Sequence, residues 1–203
     1  VGLAELFETE HSPEDETVFI TEIKESASTL LKLINDILFL SRLDARMIEI
    51  KPKPIDFAAV FENRCQTAWF NYKKPGVTYS VDNPYNHLVV DIDDQILGTV
   101  IDQIIANAAQ HTTSGLVRAR YDYTGDHLVL AFQDTGSGIP ESILDRIFDR
   151  FMSTDGHRTG LGLSICREII NQMDGKITIK SQEGEGTIVW VSVPCKLIDI
   201  DHK

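Results

Sequence analysis

"DTGSGIP", Asp134 to Pro140, follows directly on the apolar run "HLVLAFQ" of residues 127–133. An ordinary turn needs one glycine with a positive φ angle, whereas Gly136 and Gly138 together keep side chains away from a length of backbone that another group must approach closely. The stretch therefore indicates one of two things. It is a ligand site that begins with the carboxylate of Asp134, or a polar turn into a helix that Pro140 starts.

The composition is that of an ordinary globular protein, with 203 residues, 42% hydrophobic and 25% charged. No apolar stretch approaches the roughly 20 residues that span a bilayer, and no signal-peptide pattern opens the chain. The net charge of −12 argues against contact with nucleic acid or an anionic membrane, since both need clustered Lys and Arg. The three cysteines include no CxxC pair, which argues against zinc or disulfides and predicts a cytoplasmic location.

The N-terminal part of the chain is predicted to be helical. Ser12, Pro13 and Asp15 form a helix-start signal. Residues 14–46 contain no Pro or Gly and repeat apolar residues at the spacing of a coiled coil: Ile20, Ile23, Ala27, Leu30, Ile34 and Ile37. Residues 1–10 look like the tail of a preceding helix. We therefore expect a helical hairpin that dimerises into a four-helix bundle.

A change of pattern follows at "EIKPKPIDF", residues 49–57. Its two prolines exclude a helix and predict an extended connector. We expect a helical hairpin over 1–50, a linker over 51–55 and a second domain over 56–203. Because the first residue is Val rather than Met, we also expect a fragment of a longer protein.

Helices and strands alternate irregularly in the second domain. Helices are predicted near 56–73, over 94–111 with Asp93 as its cap, near 141–148 and over 160–173. Strands are predicted in the segments "VTYSV", "HLVVDI", "GLVRARYDY", "HLVLAFQD", "GKITIKSQ" and "GTIVWVSVP". The predicted class is α+β, a two-layer sandwich with helices against one face of a mostly antiparallel sheet.

Polar side chains recur along one face of the helix "DQIIANAAQH". Gln103, Asn107 and His111 stand four residues apart and therefore share a face. The carbonyl oxygen of Asn107 suits Mg²⁺ beside a triphosphate, because it adds a ligand without adding negative charge. The alternative is that Asn107 is a core amide satisfied by protein partners.

A second glycine cluster, "RTGLGLSI", places Gly160 and Gly162 where a helix begins. Free amides at a helix N-terminus bind phosphate through their N–H groups and the helix dipole. Glycines that simply start a helix are the alternative. That alternative is weakened by the second glycine cluster and the amide-bearing helix in the same chain.

These motifs resemble a known family. "QIIANAAQHT", "DTGSGIP", "IFDRF" and "TGLGLSI" resemble the N, G1, F and G2 boxes of the Bergerat-type ATP-binding domain, in the order found in sensor histidine kinases. "EGEGTIVWVSVP" is similar to the closing strand pair of that domain. "LINDILFLSRLDA" resembles the second helix of the family's dimerisation and phosphotransfer domain. The resemblance covers essentially the whole chain.

The resemblance implies an adenine site. Asp134 would accept a hydrogen bond from the adenine amino group, while the carbonyl that guanine carries at that place would be repelled. Gly136 and Gly138 would let backbone lie against the base and the ribose. Thr187 would support Asp134 through a water molecule.

The resemblance also implies a phosphate site. Asn107 would bind Mg²⁺, and Gly160 and Gly162 would present amides to the phosphates of ATP. The nucleotide lid would lie between Phe151 and Gly160, with Arg158 in place of the first glycine of the G2 box. That arginine is expected to contact the γ-phosphate.

Two further positions depart from the family pattern. Gln110 stands where the family often carries a phosphate-binding lysine. Gln103 stands where relatives carry Asn, or Glu in the members that hydrolyse ATP. Because an amide cannot act as a base, Gln103 favours phosphoryl transfer to a protein nucleophile over ATP hydrolysis. Gln103 and Asn107 are therefore the expected catalytic residues.

The family's acceptor is a histidine followed by an acidic residue, and none of the six histidines of this chain has that neighbour. His11 lies near Pro13 but in the predicted loop between the helices. We expect a chain that binds Mg·ATP without phosphorylating itself, with an acceptor histidine upstream. The expected partners are a second copy of the chain and a response-regulator receiver domain. A stand-alone ATPase and a lapsed nucleotide-binding or dimerisation module are the alternatives.

Overall fold

A single long helix precedes a mixed sheet in the computed structural model, which describes residues 13–153 and 159–203. The predicted helix tail at 1–10, Ser12 and Arg158 lie outside these residues. Helix α1 (Pro13–Asp44) ends where Arg46 adopts a φ of 51°. The amides of Arg46 and Met47 donate to the carbonyls of Leu43 and Arg42, both at 2.9 Å, which closes the last turn.

The remaining elements follow in the order of the chain. The helices are α2 (Phe57–Phe70), α3 (Asp94–His111), α4 (Glu141–Leu144) and α5 (Gly162–Gln172). The strands are β1 (Lys53–Asp56), β2 (Val77–Asp82), β3 (Tyr85–Ile92), β4 (Gly115–Thr124), β5 (His127–Asp134), β6 (Lys176–Gln182), β7 (Gly186–Pro194) and β8 (Lys196–His202).

The strands form two sheets. The larger sheet has five strands in the order β2-β4-β5-β7-β6, with a parallel β2/β4 pair and antiparallel pairs elsewhere. The smaller sheet has the order β1-β3-β8 and is antiparallel. Helices α2, α3 and α5 pack against the larger sheet and enclose one apolar core. This arrangement confirms the predicted α+β class with two layers.

Several predicted elements are confirmed closely. Helix α3 spans the predicted residues, and Asp93 caps it by accepting hydrogen bonds from the amides of Gln95 and Ile96 at 3.2 and 3.1 Å. Strands β4 and β5 pair as the predicted hairpin, whose turn contains Gly125 and Asp126 at φ of 55° and 64°.

Other predicted elements are shorter or different. Helix α5 begins at Gly162 rather than at residue 160, because Gly160 has a φ of +64° and is not helical. Helix α4 ends at Leu144 rather than near 148, and irregular turns follow. The predicted linker over 51–55 is extended, but its residues 53–55 form β1 together with Asp56, and this edge strand tolerates Pro54.

The end of α1 is part of the core of the sheet domain. Leu40 and Leu43 are buried in that core, and Gln172 donates its side-chain amide to the carbonyl of Leu43 at 2.8 Å. Asp44 forms an ion pair with Arg150 at 2.7 Å. Farther up the helix, most of the predicted seam is exposed: Ile20, Ile23, Leu30, Ile34 and Ile37. Among the described helices, none is long and apolar enough to cross a bilayer.

Candidate nucleotide-binding site

Asp134 is the last residue of β5 and points to the side of the sheet that the helices cover. The alternation of side chains places it on the same face as Leu130 and Phe132, and only 8% of the residue is exposed. Burial raises the pKa of the Asp134 carboxyl, while hydrogen bonds from the amides of Gly136 and Thr187 act to lower that pKa. The Gly136 bond measures 2.9 Å. A buried carboxylate with free lone pairs is a strong acceptor for an amino group.

The two glycines of the loop after β5 are required by the protein's own backbone. A Cβ atom on Gly136 would meet the carbonyl of His111. Gly138 has a φ of +65°, and a Cβ there would meet the carbonyl of Gln182. The loop is held on both sides, because Ser137 donates its amide to His111 at 3.1 Å and accepts at its own carbonyl from the Gly184 amide at 2.7 Å. No local sequence signal marks these two backbone contacts.

The polar face of α3 borders the cavity beside this loop. Gln103, Asn107 and His111 are half-buried and line the cavity together. Ile104 and Ala108 are buried and line it as well. The predicted common face is therefore present, although part of the apolar face also reaches the cavity.

The start of α5 lies against the amides of α3. A Cβ atom on Gly162 would stand 2.9 Å from the Gln103 side-chain oxygen and 4.0 Å from the Asn107 side-chain nitrogen. No side chain caps the helix at Leu161. The first amides of α5 are thus available to an anion beside Gln103 and Asn107.

A cavity of about 270 Å³ joins these parts. Its apolar wall contains Ile139, Ile147, Ile179, Val189 and Phe132. The predicted site residues that line it are Gln103, Asn107, Asp134, Gly138, Gly160, Gly162 and Thr187. Gly136 is not one of the lining residues, and Arg158 is outside the described residues. The structure thus brings seven predicted residues around one space.

Some lining residues were not predicted. Thr29 and Lys32 reach the cavity from α1, and Thr159 lines it too. Gln110, which stands where the family often carries a phosphate-binding lysine, also lines the cavity. Behind the wall, Ser181 accepts a hydrogen bond from the Ile139 amide at 2.9 Å and lies 2.9 Å from the Thr187 hydroxyl. Only the tertiary fold brings α1 to this place, so no local sequence signal marks its residues.

The described residues provide few side-chain ligands for a metal ion that is not accompanied by another ligand. In residues 13–153 and 159–203, no group of three or more His, Cys, Asp or Glu side chains is placed to hold one. A magnesium ion at Asn107 therefore fits only as a companion of a bound polyphosphate, whose oxygens supply most of its ligands.

Residues 92–197, more than half of the chain, match the family described as histidine kinase-, DNA gyrase B- and HSP90-like ATPase. The chain belongs to this family. The buried acid, the polar helix and the uncapped helix start all lie within the matched residues. The predicted ATP-binding domain is thereby confirmed.

Similar proteins place the chain among the sensor histidine kinases of that family. It is 30% identical over 210 residues to the sensor histidine kinase RcsC of Escherichia coli, covering 96% of this chain and 21% of that protein. It is 30% identical over 194 residues to the sensor protein kinase WalK of Staphylococcus haemolyticus, covering 89% of this chain and 31% of that protein. The predicted resemblance to sensor histidine kinases is confirmed. The chain spans between a fifth and a third of the length of these two relatives.

Solved structures agree with this placement. Full-length ShkA in complex with AMPPNP matches with a TM-score of 0.76 and 26% identity, covering 95% of this chain and 41% of that one. The histidine kinase AdeS of Acinetobacter baumannii matches with a TM-score of 0.70 and 18% identity, covering 95% of this chain and 91% of that one. The latter likeness concerns the fold alone.

Proposed function

We propose that this chain binds Mg·ATP in the cavity and transfers the γ-phosphoryl group to a histidine upstream of these 203 residues. A response-regulator receiver aspartate then takes up the group. The observation that carries the proposal is the convergence of a buried acid, an amide-bearing helix and an uncapped helix start on one cavity. Each suits a different part of ATP.

The adenine ring is assigned to the end of the cavity at Asp134. The buried carboxylate accepts the hydrogen bond from the adenine amino group, and the apolar wall packs against the ring. Thr187 lies opposite Asp134 in the β5/β7 ladder and supports the same contact. Gly136 and Gly138 hold the loop in the shape that leaves this end open.

The phosphates are assigned to the other end. The amides at Gly160 and Gly162 bind phosphate oxygens, and Asn107 provides one protein ligand to Mg²⁺. Arg158 remains a proposed γ-phosphate contact. The bound ion would neutralise charge on the phosphates, while the chain's own residues fix their position.

In the transfer step, an imidazole nitrogen attacks the γ-phosphorus. A nitrogen–phosphorus bond forms, the bond from the γ-phosphorus to its bridging oxygen breaks, and ADP leaves with that electron pair. Gln103 positions groups at the phosphate end and has no basic oxygen to activate water. None of the six histidines has the acidic neighbour of an acceptor, so we assign the acceptor to residues outside these 203.

The organisation of the chain remains part of the proposal. We assign residues 1–50 to the dimerisation domain, 51–55 to a connector and 56–203 to the catalytic domain. The exposed apolar seam of α1 supports dimerisation into a four-helix bundle. The free thiols of Cys65, Cys166 and Cys195 support a cytoplasmic location, since a reducing compartment keeps cysteines unpaired.

Labelled ATP separates this proposal from its two alternatives. The chain extended upstream to the acceptor, in the presence of Mg²⁺, is expected to gain acid-labile and alkali-stable label on histidine. The 203-residue chain itself is expected to bind Mg·ATP and stay unlabelled. Release of phosphate from an unlabelled extended chain would instead identify an ATPase. Absence of both label and Mg·ATP binding would leave only a lapsed module.

A further inference from the structure

One wall of the nucleotide cavity comes from α1 and not from the catalytic domain. Thr29 and Lys32 line the cavity together with residues of α3 and of the α5 start. Among the described lining residues, Lys32 is the only lysine or arginine. Its side chain is largely exposed and stands at the rim.

The rest of the described lining carries no permanent positive charge. The polar side chains that α3 contributes include Gln103, Asn107 and Gln110, which are neutral amides, and Asp134 is acidic. The chain as a whole has a net charge of −12, so the general field repels polyphosphates. A protein cation at this cavity, in addition to Mg²⁺ and the amides of the α5 start, therefore strengthens the binding of a polyphosphate.

Contacts between α1 and the α5 start place Lys32 toward the phosphate end. Asp36 follows Lys32 by four residues on the same helix face. The Thr159 hydroxyl donates to the Asp36 carboxylate at 3.3 Å, and the Leu161 amide donates to the Thr159 hydroxyl at 3.4 Å. One face of α1 is thus tied to the turn that opens α5.

The charge of Lys32 is available for a ligand. Within the described part of the chain, Lys32 forms no ion pair within 4 Å. Burial raises the pKa of the Asp36 carboxyl, while the positive charge of Lys32 and the hydrogen bond from Thr159 act to lower that pKa. The Asp36 carboxylate accepts its hydrogen bond from Thr159, and among residues 13–153 and 159–203 no hydrogen bond or ion pair holds the ammonium group of Lys32 away from the cavity.

We propose that Lys32 binds the terminal phosphates of the nucleotide, so that a residue of the bundle helix completes the catalytic domain's ATP site. This inference rests on the proposed function, since it assumes ATP in this cavity. An ammonium group at this rim reaches phosphate oxygens and not the adenine ring. Lys32 therefore distinguishes ATP from adenosine, whereas Asp134 recognises both.

Calorimetry on the 203-residue chain tests the assignment with Mg·ATP, Mg·ADP and adenosine. Lys32→Gln is expected to weaken Mg·ATP binding about tenfold, as for the loss of one charge-assisted hydrogen bond, and to leave adenosine binding unchanged. Lys32→Arg is expected to retain most of the Mg·ATP affinity. Lys24→Gln, an exposed lysine of the same helix outside the cavity lining, is the matched control and is expected to bind like the wild type.

Different outcomes would overturn the role of Lys32 and the proposed function. Mg·ATP affinity of Lys32→Gln within twofold of the wild type would overturn the role of Lys32 and leave the proposed function intact. An equal loss for adenosine and Mg·ATP would also overturn it, because a purely structural role affects both. Failure of the wild type to bind Mg·ATP would overturn the proposed function, and this inference with it.

Discussion

The hydroxyl oxygens of Ser181 and Thr187 lie 2.9 Å apart, on neighbouring strands at the Asp134 end of the cavity. Ser181 donates its only hydroxyl proton to the Gly186 carbonyl at 2.8 Å and accepts from the Ile139 amide at 2.9 Å. Thr187 must then donate to Ser181, which leaves the Thr187 oxygen as an acceptor facing the cavity. One serine thus orients both the loop after β5 and the threonine beside Asp134.

Ser181→Ala is expected to weaken both the fold and the site. Loss of the Ser181 hydroxyl leaves the Ile139 amide without its hydrogen-bond acceptor, which lowers the free energy of unfolding by about 1–3 kcal/mol. ATP affinity is also expected to fall, because the Thr187 hydroxyl loses its fixed orientation. Urea denaturation and calorimetry measure the two effects. Ser142→Ala, at an exposed serine, is the control and should change neither the stability nor the ATP affinity. A Ser181→Ala protein with unchanged stability and ATP affinity would contradict the role of the Ser181 hydrogen bonds.

Asp134→Asn is expected to bind adenosine more weakly and to fold no less well. The charge-assisted hydrogen bond to the amino group is lost, which costs roughly 1.5–3 kcal/mol of binding free energy. The folded protein no longer carries a buried ionised carboxylate, so its melting temperature is expected to equal or exceed that of the wild type. Adenosine titration and thermal melting check both statements. Undiminished affinity would remove Asp134 from the adenine site.

The raised pKa of Asp134 also predicts a pH dependence. In the folded state its pKa lies above the ordinary value of 3.8, so ionised Asp134 disfavours folding near neutral pH. That penalty decreases as the pH falls through the raised pKa and is gone below the ordinary value of 3.8. Over the same range, protonation of the Asp134 carboxylate removes the acceptor for the adenine amino group. The adenosine affinity of the wild type is therefore expected to decrease as the pH falls, and to do so at a higher pH than a site with an ordinary aspartate pKa would. The decline should be absent in Asp134→Asn.

Gln103→Glu is expected to introduce hydrolysis of Mg·ATP. A carboxylate beside Asn107 and the α5 start can accept a proton from water, which the amide cannot. Phosphate release from Mg·ATP is expected to rise about tenfold or more over the wild type, since general bases contribute at least this much. Gln103→Ala, which supplies no base, should show no gain. Equal rates for both variants would place the attacking water elsewhere.

Replacement by alanine is expected to have different effects at two leucines of α1. Leu43 is fully buried in the core of the sheet domain, so Leu43→Ala is expected to cost about 2–5 kcal/mol of unfolding free energy. Leu31 is 60% exposed, so Leu31→Ala should leave the unfolding of the catalytic domain nearly unchanged and weaken dimerisation instead. Urea denaturation followed by sedimentation of both variants separates the effects. A monomeric wild type would contradict the bundle.

Local sequence signals were sufficient where one segment determines its own structure. The cap at Asp93 and the spacing of polar and apolar residues predict α3 and its ligand-facing side, because both depend on neighbours within a few turns. The turn at Gly125 and Asp126 likewise predicts the β4/β5 hairpin. Glycine clusters located the loop and the helix start, although Gly136 and Gly138 also serve backbone packing that their spacing does not show.

Distant contacts were not predictable in the same way. Strand β1 lies where two prolines indicate a connector, and its pairing with β3 joins residues more than 30 positions apart. Strand β8 carries no turn or motif that marks it, and it pairs with β3 across more than 100 residues. Lys32 and Ser181 have ordinary local surroundings, and only packing brings them to the cavity.

The burial of Leu40 gives α1 the mechanics of a lever. At 1.5 Å per residue, Lys32 stands about 12 Å from this fulcrum and Pro13 about 40 Å from it. A sideways push of 10 Å at the far tip would reach Lys32 as a shift of about 3 Å, enough to carry an ammonium group out of hydrogen-bond reach. If α1 pivoted at Leu40, a large remote movement would thus be scaled down to the length of a single hydrogen bond.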